Sequence, residues 1–131
     1  MKRLFAIVLI SVLATGARGN DLASSFKQAA ALAESQNKDR ASQIYNAVDF
    51  GPYYQPKYSP IFVSCLKSTE NVDTSPFSFV VAIGKDGRVL RLYADNETNI
   101  YACVRPTLQK DKFPAPPHSP YYMQISMNFS K

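Results

Sequence analysis

FSFVVAIGKDGRVLRLY, Phe77 to Tyr93, is the stretch that decides how this chain folds. Phe77 to Ile83 is apolar and β-branched, the composition of a central strand. Gly84-Lys85-Asp86-Gly87 is a hairpin turn with glycine where a positive φ is needed. Val89 to Tyr93 then returns as a second strand, with Arg88 and Arg91 toward water. The turn length pairs the two strands antiparallel.

Toward the C-terminus a helix is expected, capped by Thr98 or Asn99, with Ile100, Cys103, Val104 and Leu108 along one face. Pro106 is awkward there, because inside a helix it removes a hydrogen bond and costs about 3 kcal/mol. Either the helix kinks at Pro106, or it begins near Cys103 and Pro106 sits in its first turn. Pro114, Pro116, Pro117 and Pro120 stop the helix and stiffen the return path. Tyr121, Met123, Ile125, Met127 and Phe129 then alternate with Tyr122, Gln124, Ser126 and Asn128. That is the period of a half-buried strand. The order strand, turn, strand, helix, strand predicts an α+β fold: a small antiparallel β-β-α-β sheet packed on a helix.

The N-terminal part divides into three segments. Lys2 and Arg3 precede an apolar run from Leu4 to Ala14, and Ala17-Arg18-Gly19 offers small residues for cleavage. Residues 1–19 therefore read as a secretory signal peptide, too short to span a bilayer. Residues 20–50 read as a helical hairpin. Its first helix runs from Asp21 to Asn37, with Leu22, Phe26, Ala29, Ala30 and Ala33 at helical spacing. Asp39 caps a second helix through Val48, with Ala41, Ile44, Tyr45 and Val48 on one face. GPYYQPKYSP, residues 51–60, holds three prolines and a glycine and is expected to be an extended loop. Its Tyr53, Tyr54 and Tyr58 either cover the core or form a sticky surface. Ile61 to Leu66 reads as a short strand carrying Cys65, the start of a C-terminal domain over residues 61–131.

Composition narrows the function. Removing Lys2, Arg3 and Arg18 from the 15 basic residues leaves 12 against 10 acidic, a net charge of +2. The remaining cations are scattered, so they predict a solvated surface and no nucleic-acid partner. With the signal removed, no segment is expected to insert stably in a membrane. Cys65 and Cys103 are the only cysteines. In an exported chain an even count predicts a structural disulfide, which would restrict the unfolded chain by about 4 kcal/mol. Two cysteines and one histidine argue against a zinc site, and no metal or cofactor is assigned. His118 is the only histidine and would have to serve as base for a serine nucleophile. Asp95 and Glu97 are better read as negative charge near a helix start. No catalytic residue is assigned.

The last strand is where a partner is expected. A three-stranded sheet leaves at least one edge open unless the N-terminal helices cover it. Natural edges are guarded by charge or proline, and Tyr121 to Phe129 contains neither. Such an edge accepts another strand.

FSFVVAIGKDGRVLRLY followed by a helix and a final strand resembles the C-terminal domain shared by TonB and TolA, periplasmic proteins of the Gram-negative envelope. Asp86 to Val89 matches the Asp-Gly-Arg-Val hairpin of TonB-type domains. Cys103 followed by Lys110 to Pro117 looks like TolA, whose helix is joined to an upstream cysteine. Gln55 to Pro60 resembles the Gln-Pro-x-Tyr-Pro stretch of TonB, with Ser59 as an extra residue. The likeness covers about Gln55 to Phe129. It implies a periplasmic, non-enzymatic module that captures an envelope protein by strand addition. Tyr121, Met123, Gln124, Ile125, Ser126 and Met127 would form its binding edge, with Gln55 and Tyr58 as carry-overs. The membrane anchor and long spacer of TonB and TolA have no counterpart in this sequence. A second expectation, from a different class, is a periplasmic inhibitor or immunity protein that caps a toxin or hydrolase through aromatic anchors. A domain-swapped or edge-to-edge dimer is compatible with either.

Overall fold

The computed structural model describes residues 21–129. The expected signal peptide, residues 1–19, lies outside the described residues. Helix α1 (Phe26–Gln36) is followed by α2 (Arg40–Ile44), a π-helical turn (Tyr45–Phe50) and α3 (Gly51–Ser68). Strands β1 (Phe77–Ile83) and β2 (Val89–Ala94) form the hairpin, α4 (Asn99–Lys110) follows, and β3 (Tyr121–Met127) is the last described element. The fold is α+β, with an antiparallel sheet in the order β2-β1-β3.

β1 is the centre of the molecule. Apart from half-buried Ser78, all its residues are buried, as a strand covered on both faces requires. One face carries Phe77, Phe79, Val81 and Ile83 into a core with α3 and α4. On the other face Val80 and Ala82 pack with Ala29 and Ala33 of α1. Alanines at these positions let α1 lie close to the sheet. Ser25 fixes where α1 starts, since its hydroxyl accepts from the Gln28 N–H at 3.1 Å. At the hairpin turn Gly87 adopts φ +90°, and a Cβ there would lie 1.8 Å from the Phe113 carbonyl oxygen. The Phe113 N–H donates to the Gly87 carbonyl at 2.9 Å, which ties the proline-rich return path to the turn.

Residues 51–66 differ from expectation. The anticipated extended loop and short strand are one helix, α3. Two patterns four residues apart explain it. Phe50, Tyr54, Tyr58 and Phe62 are all buried in the core. Pro52, Pro56 and Pro60 are exposed on the outer side. A carbonyl left without its donor by Pro56 or Pro60 therefore meets water rather than protein, which removes much of the cost of proline in a helix. Burial of the aromatic stripe supplies the rest, at about 1.5–3 kcal/mol per large side chain. Pro106 in α4 follows the same rule. The helix starts at Asn99, capped by the Thr98 hydroxyl on Tyr101 N–H at 3.2 Å, and Pro106 is exposed.

The π-helical turn corrects the expected second helix. It lies directly before Pro52, whose ring would otherwise press on the Val48 carbonyl. The wider turn brings Tyr45 and Phe50 to the core, leaving Ile44 and Val48 49% and 63% exposed. The shared face of Ala41, Ile44, Tyr45 and Val48 does not form.

Cys65 and Cys103 form the expected disulfide, with Cα atoms 5.9 Å apart and a sequence separation of 38. It joins α3 to α4, and the segment carrying Cys65, expected as a strand, is helical. Among the described residues no helix is long and apolar enough to cross a membrane.

Pro60→Ala should restore the hydrogen bond to the Pro56 carbonyl at an exposed position. The gain from helix propensity, about 3 kcal/mol at most, is offset by about 0.4–1 kcal/mol of extra unfolded-chain freedom and by the hydration already present. Urea melts are expected to show a net stabilisation of about 1–2 kcal/mol. A loss of stability would mean the proline face packs against something.

Candidate functional site

The geometry of the β3 edge follows from two hydrogen bonds. The Asp95 N–H donates to the Ser78 carbonyl at 3.1 Å, so the backbone groups of Ser78, Val80 and Ala82 point to β2. Those of Phe77, Phe79, Val81 and Ile83 then point to β3, where they oppose Met127, Ile125, Met123 and Tyr121. By the same alternation, the amides of Tyr122, Gln124 and Ser126 face away from the sheet. The Tyr122 N–H donates outward to Gln36 Oε1 at 2.8 Å, in agreement. Among the described residues nothing bonds the Gln124 or Ser126 amide, and both side chains are exposed.

A groove of about 410 Å³ lies beside this edge. One wall is α3, through Gln55, Ser59, Phe62, Val63 and Leu66; the other is Ile125, Met127 and Phe129. Val63 is 48% exposed there. Tyr54 also lines the groove, and its hydroxyl is buried without a hydrogen-bond partner. An orphaned hydroxyl of this kind is costly in a native core. Burial also raises its pKa.

The opposite edge, β2, is guarded. A register shift interrupts its pairing between Ala82 and Ile83, and exposed Arg91 lies mid-strand. At its hairpin end Arg88 pairs with Lys112. Bulges and cations are the usual protection of an edge. β3 carries no charge from Tyr121 to Met127.

The residues singled out in the sequence are thus sorted by the fold. Gln124 and Ser126 lie open on the edge, while Met123, Ile125 and Met127 are half-buried on the face toward α3. Gln55 lines the groove. Tyr121 is buried, its hydroxyl bonded to Asn46 and to the Ser42 carbonyl. Tyr58 is fully buried and presents no surface to a partner. Phe62, Val63 and Leu66 line the groove only because residues 61–66 are helical; in the strand expected from sequence they carry no such signal.

Two polar clusters lie elsewhere. Ser42 Oγ is 3.4 Å from His118 Nε2, the spacing of a loose nucleophile–base pair. Yet Ser42 is 0% exposed, and its hydroxyl donates to Asp39 at 3.2 Å. A substrate carbonyl has no access to it. The pair instead holds the proline-rich loop against α2, with His118 also against the Tyr121 ring.

The second cluster is centred on Asp111, whose side chain is 3% exposed. It accepts from Tyr53 and Tyr58, each at 2.5 Å, from Lys57 at 2.9 Å and from the Lys112 N–H at 2.7 Å. Burial opposes its charge, but these four donors outweigh that and hold the carboxyl below the usual range. The cluster clamps α3 to the end of α4. The tyrosines expected as either core cover or sticky surface are core: Tyr54 and Tyr58 are buried, and Tyr53 is half-buried. No group of metal-ligating side chains occurs among the described residues.

Comparison with protein-family models, curated proteins and solved structures returns no match.

The Asp111 clamp has a pH signature. The folded pKa lies below the unfolded value of about 3.9, so the stabilisation is complete above that value and is lost as pH falls through the folded pKa. Asp111→Asn should cost about 2–3 kcal/mol at pH 7, the scale of charge-assisted hydrogen bonds. Urea melts at pH 7 and pH 2.5 should show the deficit shrinking at the lower pH. An equal deficit at both would contradict the assignment.

Proposed function

We propose that this protein is a non-enzymatic protein-binding module. It captures an extended segment of another protein as a fourth strand on β3, alongside Gln124 to Asn128. The observation that carries this reading is the outward-facing, unbonded pair of amides at Gln124 and Ser126 on an uncharged edge, beside an apolar groove. Backbone hydrogen bonds would supply affinity. Alternate side chains of the segment would enter the groove against Phe62, Val63 and Leu66 and supply selectivity.

The likeness to the TonB and TolA domain supports the same role, through the hairpin, the helix and the final strand. The signal-like N-terminus and the disulfide support export, and with that likeness a periplasmic location and a partner from the cell envelope. The inhibitor reading relies on an aromatic loop, and the tyrosines that suggested one are packed in α3. It therefore has less support than strand capture.

Proline at position 126 tests the mechanism, because the Ser126 amide makes no bond to β1. Ser126→Pro should retain the fold yet reduce capture about tenfold or more, by removing a donor from the edge. Capture can be read with a photoreactive residue at Gln124 in cells exporting the protein, with the same probe at Leu90 on β2 as control. Ile125→Pro, which removes a bond to β1, should instead destabilise the domain. Unchanged cross-linking in Ser126→Pro would count against strand addition.

A further inference from the structure

The β3 edge is not open along its whole length. At its N-terminal end Gln36, the last residue of α1, lies against it. Its Oε1 accepts from the Tyr122 N–H at 2.8 Å, and its Nε2 donates to the Pro120 carbonyl at 3.3 Å. A carboxamide presents a donor and an acceptor side by side, as the N–H and C=O of a single strand residue do. Gln36 therefore occupies the outward backbone groups of Pro120 and Tyr122 as one residue of a neighbouring strand would. Two residues further on, the Gln124 amide has no partner among the described residues.

We propose that Gln36 is the register stop of this edge. It confines an incoming strand to Gln124–Asn128 and so selects short extended segments in a single alignment. A strand held at an edge mainly by backbone hydrogen bonds can pair in more than one alignment, and a fixed side-chain stop removes those that run past it. The same contact prevents full-length edge-to-edge pairing of two copies, which would need the groups of Tyr122 as well. This inference rests on the strand-addition reading above and adds where the strand must end.

The probe is a combinatorial library of short linear peptides, selected separately on the wild-type protein and on Gln36→Ala. The tightest peptide from each is made synthetically. Its footprint is then mapped by amide hydrogen exchange. On the wild type the peptide should protect Gln124 and Ser126 and leave Tyr122 unchanged. On Gln36→Ala the footprint should extend to Tyr122, with affinity about tenfold tighter from the two added backbone bonds. The near-ultraviolet circular dichroism of the tyrosines checks that the variant is folded. If it is not, Gln36→Asn keeps the amide but is one methylene too short to reach, and should give the same extension. An identical footprint on wild type and variant, or a wild-type footprint that already covers Tyr122, overturns the register stop and leaves strand addition standing. Failure to select any peptide on either protein overturns both.

Discussion

The alternating direction of the β1 backbone is the constraint on which the rest of this structure depends. β1 is buried on both faces and bonded on both sides, so each of its residues is assigned to one neighbour. Ser78, Val80 and Ala82 serve β2, and the residues between them serve β3. That assignment fixes which amides of β3 are satisfied inside the sheet and which face outward. A slip of one residue would exchange the two sets and put the apolar face of β3 into water. The buried phenylalanines and valines of β1 make such a slip too costly to occur.

A second constraint positions the wall of the groove. α3 is held in place from three directions. The disulfide joins it to α4 near its C-terminal end. Tyr58 and Lys57 bind Asp111 in its middle. Phe113 stacks with Phe50 at 5.3 Å, just before its start. Because these ties come from the C-terminal half of the chain, the groove forms only when β3 and its proline-rich approach are in place. The edge is presented on a rigid frame, which would lower the entropy lost in the proposed capture of an extended segment.

The hairpin was legible because its signals are local. An apolar β-branched run, a Gly-Lys-Asp-Gly turn and a returning strand need no knowledge of the remainder of the chain. β3 was legible for the same reason, through strict alternation from Tyr121. The disulfide follows from an even cysteine count behind a signal-like N-terminus. α3 was misread because three prolines in ten residues outweighed the aromatic repeat at Phe50, Tyr54, Tyr58 and Phe62. Spacing decides such cases: prolines four apart fall on one side of a helix, and aromatics four apart on another. The π-helical turn had no comparable signal, since it depends on where Tyr45 and Phe50 meet the core. The contact of Gln36 with Tyr122, across 86 residues, had none either. It is a tertiary contact between polar groups that any surface glutamine would resemble in sequence.

Together these features describe a small sheet with one guarded edge, at β2, and one whose outward amides at Gln124 and Ser126 have no partner among the described residues. Amide hydrogen exchange of the isolated protein tests that claim most directly. Tyr121, Met123, Ile125 and Met127 should exchange slowly, and Gln124 and Ser126 should exchange orders of magnitude faster, in strict alternation along one strand. Uniform protection from Tyr121 to Met127 would mean that the outer side of β3 is already bonded, and would contradict the account.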